Sequence, residues 1–188
     1  MAATTNGEPR SIPWRMVGWG TAGFLLLLPL VTGAPWTVSD YILVAVIFGI
    51  VGGLIELTVR KTASFAYRTG VAVALAASVF HIWFTGAVGI IGNESNPGNV
   101  LYLGVVVLAI LGSIASLGRA RSLAWVMVIV AIAEVLVPPV AYAWVADPVD
   151  AVLRTEVFVL GGVFTGMWLL AAWLFREGER IDSRGSEA

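Results

Sequence analysis

The stretch SLAWVMVIVAIAEVLVPPVAYAWVA, residues 122–146, carries a single acidic or basic side chain, Glu134. About 20 apolar residues, rising ~1.5 Å each, cross the hydrocarbon core of a bilayer, so this run reads as a membrane-spanning helix. Five further windows share its character: 17–34, 41–59, 69–92, 100–118 and 157–175. The second is the poorest, because Glu56 sits inside it. Over all 188 residues the chain is 59% hydrophobic, against roughly 45–50% for soluble domains, and its mean hydropathy is +0.90. Isolated strands leave backbone groups unpaired in lipid, and the chain lacks the alternating pattern of a barrel. The expected fold is all-α and polytopic: a bundle of six transmembrane helices over residues 15–176, with polar cytoplasmic tails at 1–14 and 177–188, expected to be mobile.

Loop charges set the expected orientation. Arg10 and Arg15 precede the first span, Arg60, Lys61 and Arg68 separate the second from the third, and Arg119 and Arg121 the fourth from the fifth. Arg176, Arg180 and Arg184 follow the sixth. The opposite side holds only Arg154, beside Asp147, Asp150 and Glu156, in a connection that has room for a short interfacial helix. Ten of eleven basic residues thus fall on one side, and the positive-inside rule puts both termini in the cytoplasm. The basic loops are short and lack interleaved aromatics, so no nucleic-acid partner is expected; the partners expected are the lipid bilayer and a homo-oligomer or second membrane protein. Pro35, directly after Thr32-Gly33-Ala34, disfavours cleavage there, so the first span is read as retained. Trp14, Trp19, Trp36, Tyr41, Tyr67, Tyr102, Trp144 and Trp173 fall near span ends, as in an interfacial aromatic belt.

The absence of cysteine excludes disulfides, thiolate metal sites and cysteine nucleophiles. A single histidine excludes bis-histidine haem ligation, and His plus one Glu falls short of a zinc set. No H-E-x-x-H or G-x-S-x-G motif is present, so neither enzyme activity nor a cofactor or metal is expected.

Small residues mark where helices can approach closely: Gly49 with Gly53, Gly162 with Gly166, and a ridge of Gly86, Gly89 and Gly92. Gly118 reads as a helix stop and Ser122 as an N-cap, and Asn96 as a cap ahead of Pro97 in the first helical position.

His81 and Glu134 form the sharpest candidate site. Each lies twelve residues past the start of its window, and both helices run in the same direction, so they share one depth. A charge at mid-membrane costs at least ~2.5–3.5 kcal/mol on insertion scales, so such residues usually face the bundle interior and find partners. Pro138 cannot donate to the carbonyl of Glu134, which frees an acceptor beside the carboxyl and favours a kink. Two accounts stay open: a proton or ligand site between the third and fifth helices, or a neutral, internally satisfied core. Glu56 with Arg60 suits an i,i+4 ion pair, or a site on the cytoplasmic side with Arg68 in support. Asn93, Glu94, Asn96 and Asn99 crowd the outer loop, either as helix caps or as an outward-facing binding site, with Trp83 in support.

The run Ala87–Tyr102, AVGIIGNESNPGNVLY, resembles the signature of a family of small bacterial inner-membrane proteins with no established function; Trp36, Asp40, Glu56, Tyr67-Arg68 and Trp83 join the resemblance over residues 36–140. It implies a bacterial inner-membrane location. It also implies apolar or amide residues at positions 81 and 134, from which this chain departs. The expected function is a non-enzymatic accessory or assembly subunit. The alternative is a proton-linked transporter or solute-binding subunit using Glu134, His81 or Glu56; at fold level only, the chain also resembles the membrane subunits of vitamin uptake systems. A third reading is quinone or lipid binding.

Overall fold

A computed structural model describes residues 14–33, 35–144 and 155–185. The described residues form six helices, α1 (Trp14–Thr32), α2 (Val38–Lys61), α3 (Phe65–Ala87), α4 (Asn99–Ala115), α5 (Ala120–Trp144) and α6 (Thr155–Gly185), and no strand. Five are long and apolar enough to cross a membrane; α4, at 17 residues, is the short one. Large apolar side chains cover the exterior, among them Phe24, Leu30, Ile114, Trp125 and Trp173. An apolar surface this continuous suits lipid and not water. The acidic connection with Asp147, Asp150 and Arg154, and the tail with Arg10, lie outside the described residues.

Several boundaries move from their sequence expectation, each for a local reason. The third helix stops at Ala87 instead of 92, because Gly89 and Gly92 take φ of +77 and +72. The expected glycine ridge therefore does not exist: two of its members are loop residues in the left-handed region. The fourth helix ends at Ala115, where Leu117 (φ 51) and Gly118 (φ 75) reverse the chain. Ser122 is not the N-cap of α5, which begins two residues earlier. Pro97 is not in the first helical turn; α4 starts at Asn99 with Gly98 as its cap. Finally, the segment expected as a tail from 177 continues α6 as far as Gly185, with Arg180 Nη1 3.4 Å from Glu177 Oε2. Acids and bases at i,i+3 spacing support a helix as readily as a solvated tail.

Two compact units divide the chain between Glu56 and Leu57. In the first, Thr37 and Asp40 form a capping box at the start of α2: Thr37 N–H and Oγ1–H donate to Asp40 Oδ2 (2.7 and 2.8 Å), and Asp40 N–H donates back to Thr37 Oγ1 (3.4 Å). Trp36 and Tyr41 meet edge to face at 5.3 Å. The indole of Trp19 lies over Gly52, where a Cβ would come within 2.8 Å of the ring.

In the second unit α3, α4, α5 and α6 close a ring, each packed against two neighbours, so that α3 faces α5 across one diagonal and α4 faces α6 across the other. Arg68, in the first turn of α3, donates to the carbonyls of Val59 (3.0 Å) and Thr62 (2.8 Å), satisfying the end of α2 with a cation where the helix dipole favours one. Ser64 caps α3 by accepting from Tyr67 N–H at 3.3 Å. Tyr67 stacks edge-on against Phe175 at 5.3 Å and donates its hydroxyl to Gly118 O at 2.8 Å, tying α3 to the α4–α5 turn. Tyr67→Phe is expected to lower stability by about 1 kcal/mol, the net worth of one such bond. Denaturant unfolding in detergent measures it, and an unchanged midpoint would remove the bond from the account.

The expected G-x-x-x-G contacts are not made among the described residues. A Cβ at Gly49, Gly53, Gly162 or Gly166 would meet nothing within 4 Å. The close approaches fall at glycines outside those steps: Gly70 against Phe175 (3.2 Å), Gly112 against Val126 (2.6 Å) and Gly178 against Ser64 and Tyr67 (3.2 and 3.3 Å).

Candidate functional site: a buried polar cluster

Each helix of the second unit turns one stripe inward. On α3 the stripe is Ala66, Gly70, Ala77, His81 and Thr85, spaced at helical turns. On α5 it runs Leu123, Met127, Val130, Glu134, Val137 and Ala141, and on α4 it includes Tyr102, Val105 and Ala109. On α6 it comprises Phe164, Trp168, Ala171 and Phe175. Those stripes are apolar except at Thr85 and at the level where His81, Tyr102 and Glu134 lie together.

His81 Nδ1 and Glu134 Oε2 are 3.7 Å apart, and both side chains are completely buried. The pair reaches across the α3–α5 diagonal, so the shared depth expected from the sequence is realised as contact. A separation of 3.7 Å exceeds hydrogen-bonding range, so the two groups are in ionic contact without a hydrogen bond between them. The His81 ring also lies 4.3 Å from Phe164 and 5.4 Å from Tyr102, between centroids. Tyr102 lies within Coulombic reach of Glu134. The belt position expected for Tyr102 is thus wrong: it is fully buried, because α4 begins only three residues earlier and already faces the core.

The cluster's hydrogen bonding is incomplete. Both ring nitrogens of His81, both carboxyl oxygens of Glu134, the hydroxyls of Thr85, Tyr102 and Thr165, and Trp168 Nε1 are buried without a hydrogen-bond partner. A buried polar atom left unpaired costs about 1–3 kcal/mol. Pro138 and Pro139 sit inside α5, which stays helical through both, so the carbonyls of Glu134 and Val135 also lack their usual i+4 donors. Neutral imidazole offers one donor and one acceptor, a carboxyl group can hold or release one proton, and the hydroxyls can do either. Chemically the arrangement can bind a proton in more than one place and hydrogen-bond a small polar guest. Among the described residues no three His, Cys, Asp or Glu side chains gather where they could hold a metal ion.

The other candidate residues lie elsewhere. Glu56 is ion-paired with Arg15 of α1, a partner 41 residues away that helical spacing could not show. Arg60 is exposed. Arg68 is engaged with the end of α2, and Trp83 is 54% exposed on the outside of α3.

In the α3–α4 loop the amides serve the loop itself. Asn99 Oδ1 accepts from Ile90 and Ile91 N–H (both 2.9 Å), and its Nδ2 donates to Asn93 O (2.7 Å). Asn93 Oδ1 accepts from Ser95 N–H and Oγ–H (3.1 and 2.8 Å), and Asn96 Oδ1 from Gly98 N–H (2.8 Å). Glu94 is exposed.

Sequence reasoning found His81 and Glu134 and missed Tyr102 and Phe164, which lie against His81, and the unpaired polar atoms of Thr85, Thr165 and Trp168 elsewhere in the core. Two signals were available: Thr85 lies one turn beyond His81, and Phe164 and Trp168 are an i,i+4 aromatic pair. Fold and site together define an all-α membrane protein with a buried polar centre in a four-helix unit. Comparison with protein-family models, curated proteins and solved structures finds no match.

Proposed function

We propose that this is a proton-linked transporter or membrane-embedded solute-binding subunit of the bacterial inner membrane, working through His81 and Glu134. One observation carries the reading: His81 and Glu134 meet in the core with all four of their polar atoms, and the nearby hydroxyl of Tyr102, buried without hydrogen-bond partners, a cost unless protons or a polar solute complete them. Intramembrane ionisable groups that face a bundle interior commonly mark ion and substrate pathways. The ten-to-one division of basic residues supports cytoplasmic termini, and the resemblance carried by residues 87–102 supports the bacterial setting.

Proton flux into proteoliposomes, driven by a potassium diffusion potential and read by an entrapped pH dye, tests the proposal. The wild-type chain is expected to carry flux above protein-free vesicles, and Glu134→Gln to reduce it at least ~10-fold, in line with the loss of an acid–base group. Equal flux in the two, or none in the wild type, would sink the proposal.

A second reading, a non-enzymatic accessory or assembly subunit, is favoured by the open faces around Gly49 and Gly53 and around Gly162 and Gly166. Such steps suit close approach of another helix in lipid. Purification in mild detergent that yields only a partner-free monomer would count against it.

A further inference from the structure

We propose that the seam between α5 and α6 binds an anionic phospholipid, with the headgroup phosphate at Arg121 and Arg176 and an acyl chain along Trp125, Ile129, Leu169 and Trp173. The two arginines come from different helices and meet around one aromatic ring. Arg176 of α6 places Cζ over the indole of Trp125, 5.7 Å from the ring centroid, within the ~6 Å at which a guanidinium and a ring attract each other. Arg121 precedes Trp125 by four residues on α5, so the two side chains share one face a turn apart. Arg121, Trp125 and Arg176 are all exposed.

Charge complementarity names the headgroup. Among the described residues neither Arg121 nor Arg176 has a hydrogen bond or an ion pair through its side chain. Glu177, next to Arg176 in the chain, holds Arg180 instead, at 3.4 Å. Glu179 follows Arg176 by three residues and so lies nearly a turn farther from the apolar part of α6. A guanidinium on a ring face keeps its in-plane N–H donors, in the fork that matches a phosphate. The apolar path beside the two cations points to a lipid and not to free phosphate. Trp125, Ile129 and Ile132 continue the exposed face of α5 at helical spacing, and Leu169 and Trp173 lead to Arg176 on α6 in the same way. Since α5 and α6 pack together, the cations cap an apolar seam as a phosphate caps its acyl chains. Basic clusters at the ends of membrane helices recognise anionic headgroups through this combination. A choline lipid brings the same phosphate with a cation, which two unpaired guanidinium groups repel.

Native mass spectrometry of the full chain, equilibrated with equimolar phosphatidylglycerol and phosphatidylcholine, tests this. Retention of the glycerol lipid at least ~5-fold above the choline lipid is expected, on the scale of one basic contact at a membrane surface. The double variant Arg121→Gln with Arg176→Gln is expected to bring that ratio within about twofold. Arg60→Gln with Lys61→Gln, which removes the same charge from the end of α2, is expected to leave it unchanged. If the arginine double variant does not yield folded protein, Arg176→Gln alone, at an exposed position, is expected to lower the ratio at least ~2-fold. Equal retention of the two lipids by the wild-type chain, an unchanged ratio in the arginine variants, or an equal fall in the Arg60–Lys61 variant overturns the proposal. So does displacement of the glycerol lipid by inorganic phosphate at the lipid's own concentration. The seam shares no residue with the His81–Glu134 pair, so this result and the proton-flux result stand independently.

Discussion

The double substitution His81→Phe with Glu134→Leu is expected to stabilise the protein by about 1–4 kcal/mol while removing the proton flux proposed for it. Replacing a buried ionic pair with apolar groups of similar volume is often neutral or stabilising on that scale, because the polar groups no longer have to be desolvated. Here the case is stronger than usual, since none of the four polar atoms concerned has a hydrogen-bond partner. A phenyl ring at 81 keeps the packing against Phe164 and Tyr102, and a leucine at 134 fills a volume close to that of the acid. Glu134→Leu alone should gain less, because it leaves the imidazole buried beside a newly apolar neighbour. The two single variants and the double form a cycle whose non-additive term reports the coupling directly. Denaturant unfolding in detergent, followed by far-ultraviolet circular dichroism, supplies the numbers. A double variant less stable than the wild type by more than about 1 kcal/mol would mean that the pair holds the fold together. Its retention in place of apolar residues would then need no functional explanation.

Gly89→Ala is expected to destabilise by about 3 kcal/mol or more, and Asn99→Leu by a similar amount, through the same loop. At Gly89 the φ of +77 already disfavours an L side chain, by roughly 1–2 kcal/mol. A Cβ would then lie 2.2 Å from Asn93 C and 2.5 Å from Glu94 N, and both contacts are backbone. The loop must open to admit it. Opening breaks the cradle in which Asn99 accepts from Ile90 and Ile91 and donates to Asn93. Asn99→Leu leaves the shape of the chain but strands those two N–H groups on residues that are 3% and 1% exposed, at about 1–3 kcal/mol each. Gly104→Ala is the control: it lies inside α4 with nothing within 4 Å of its Cβ, so it should gain roughly 0.5–1 kcal/mol from helix propensity. Thermal unfolding of the three variants side by side gives the comparison. If Gly89→Ala behaves like Gly104→Ala, the left-handed turn is not a structural requirement.

How far the sequence could be read depended on the range of the physics involved. Span number and approximate position follow from hydropathy, which is local, and all six windows correspond to helices. Termini were harder. The end of α3 is set by two glycines whose left-handed conformation is fixed by an asparagine beyond them in the chain. The Thr37–Asp40 capping box, in contrast, is local and legible in the sequence as T-x-x-D. Spacing rules act along one helix, and Glu56 is also reached by Arg15 from another helix.

Composition and charge placement by themselves determined that the chain is all-α and belongs in lipid, and that an acid and a histidine sit at one level within it. These properties depend on each segment separately, on its length, hydrophobicity and side-chain types. Only the tertiary structure decided that His81 and Glu134 face each other across a diagonal, that Tyr102 turns inward, and that Thr85, Thr165 and Trp168 also bury unpaired polar atoms. The physical reason is rotation: a helix can turn about its own axis without changing its hydropathy, and only packing against its neighbours fixes which residues share the core.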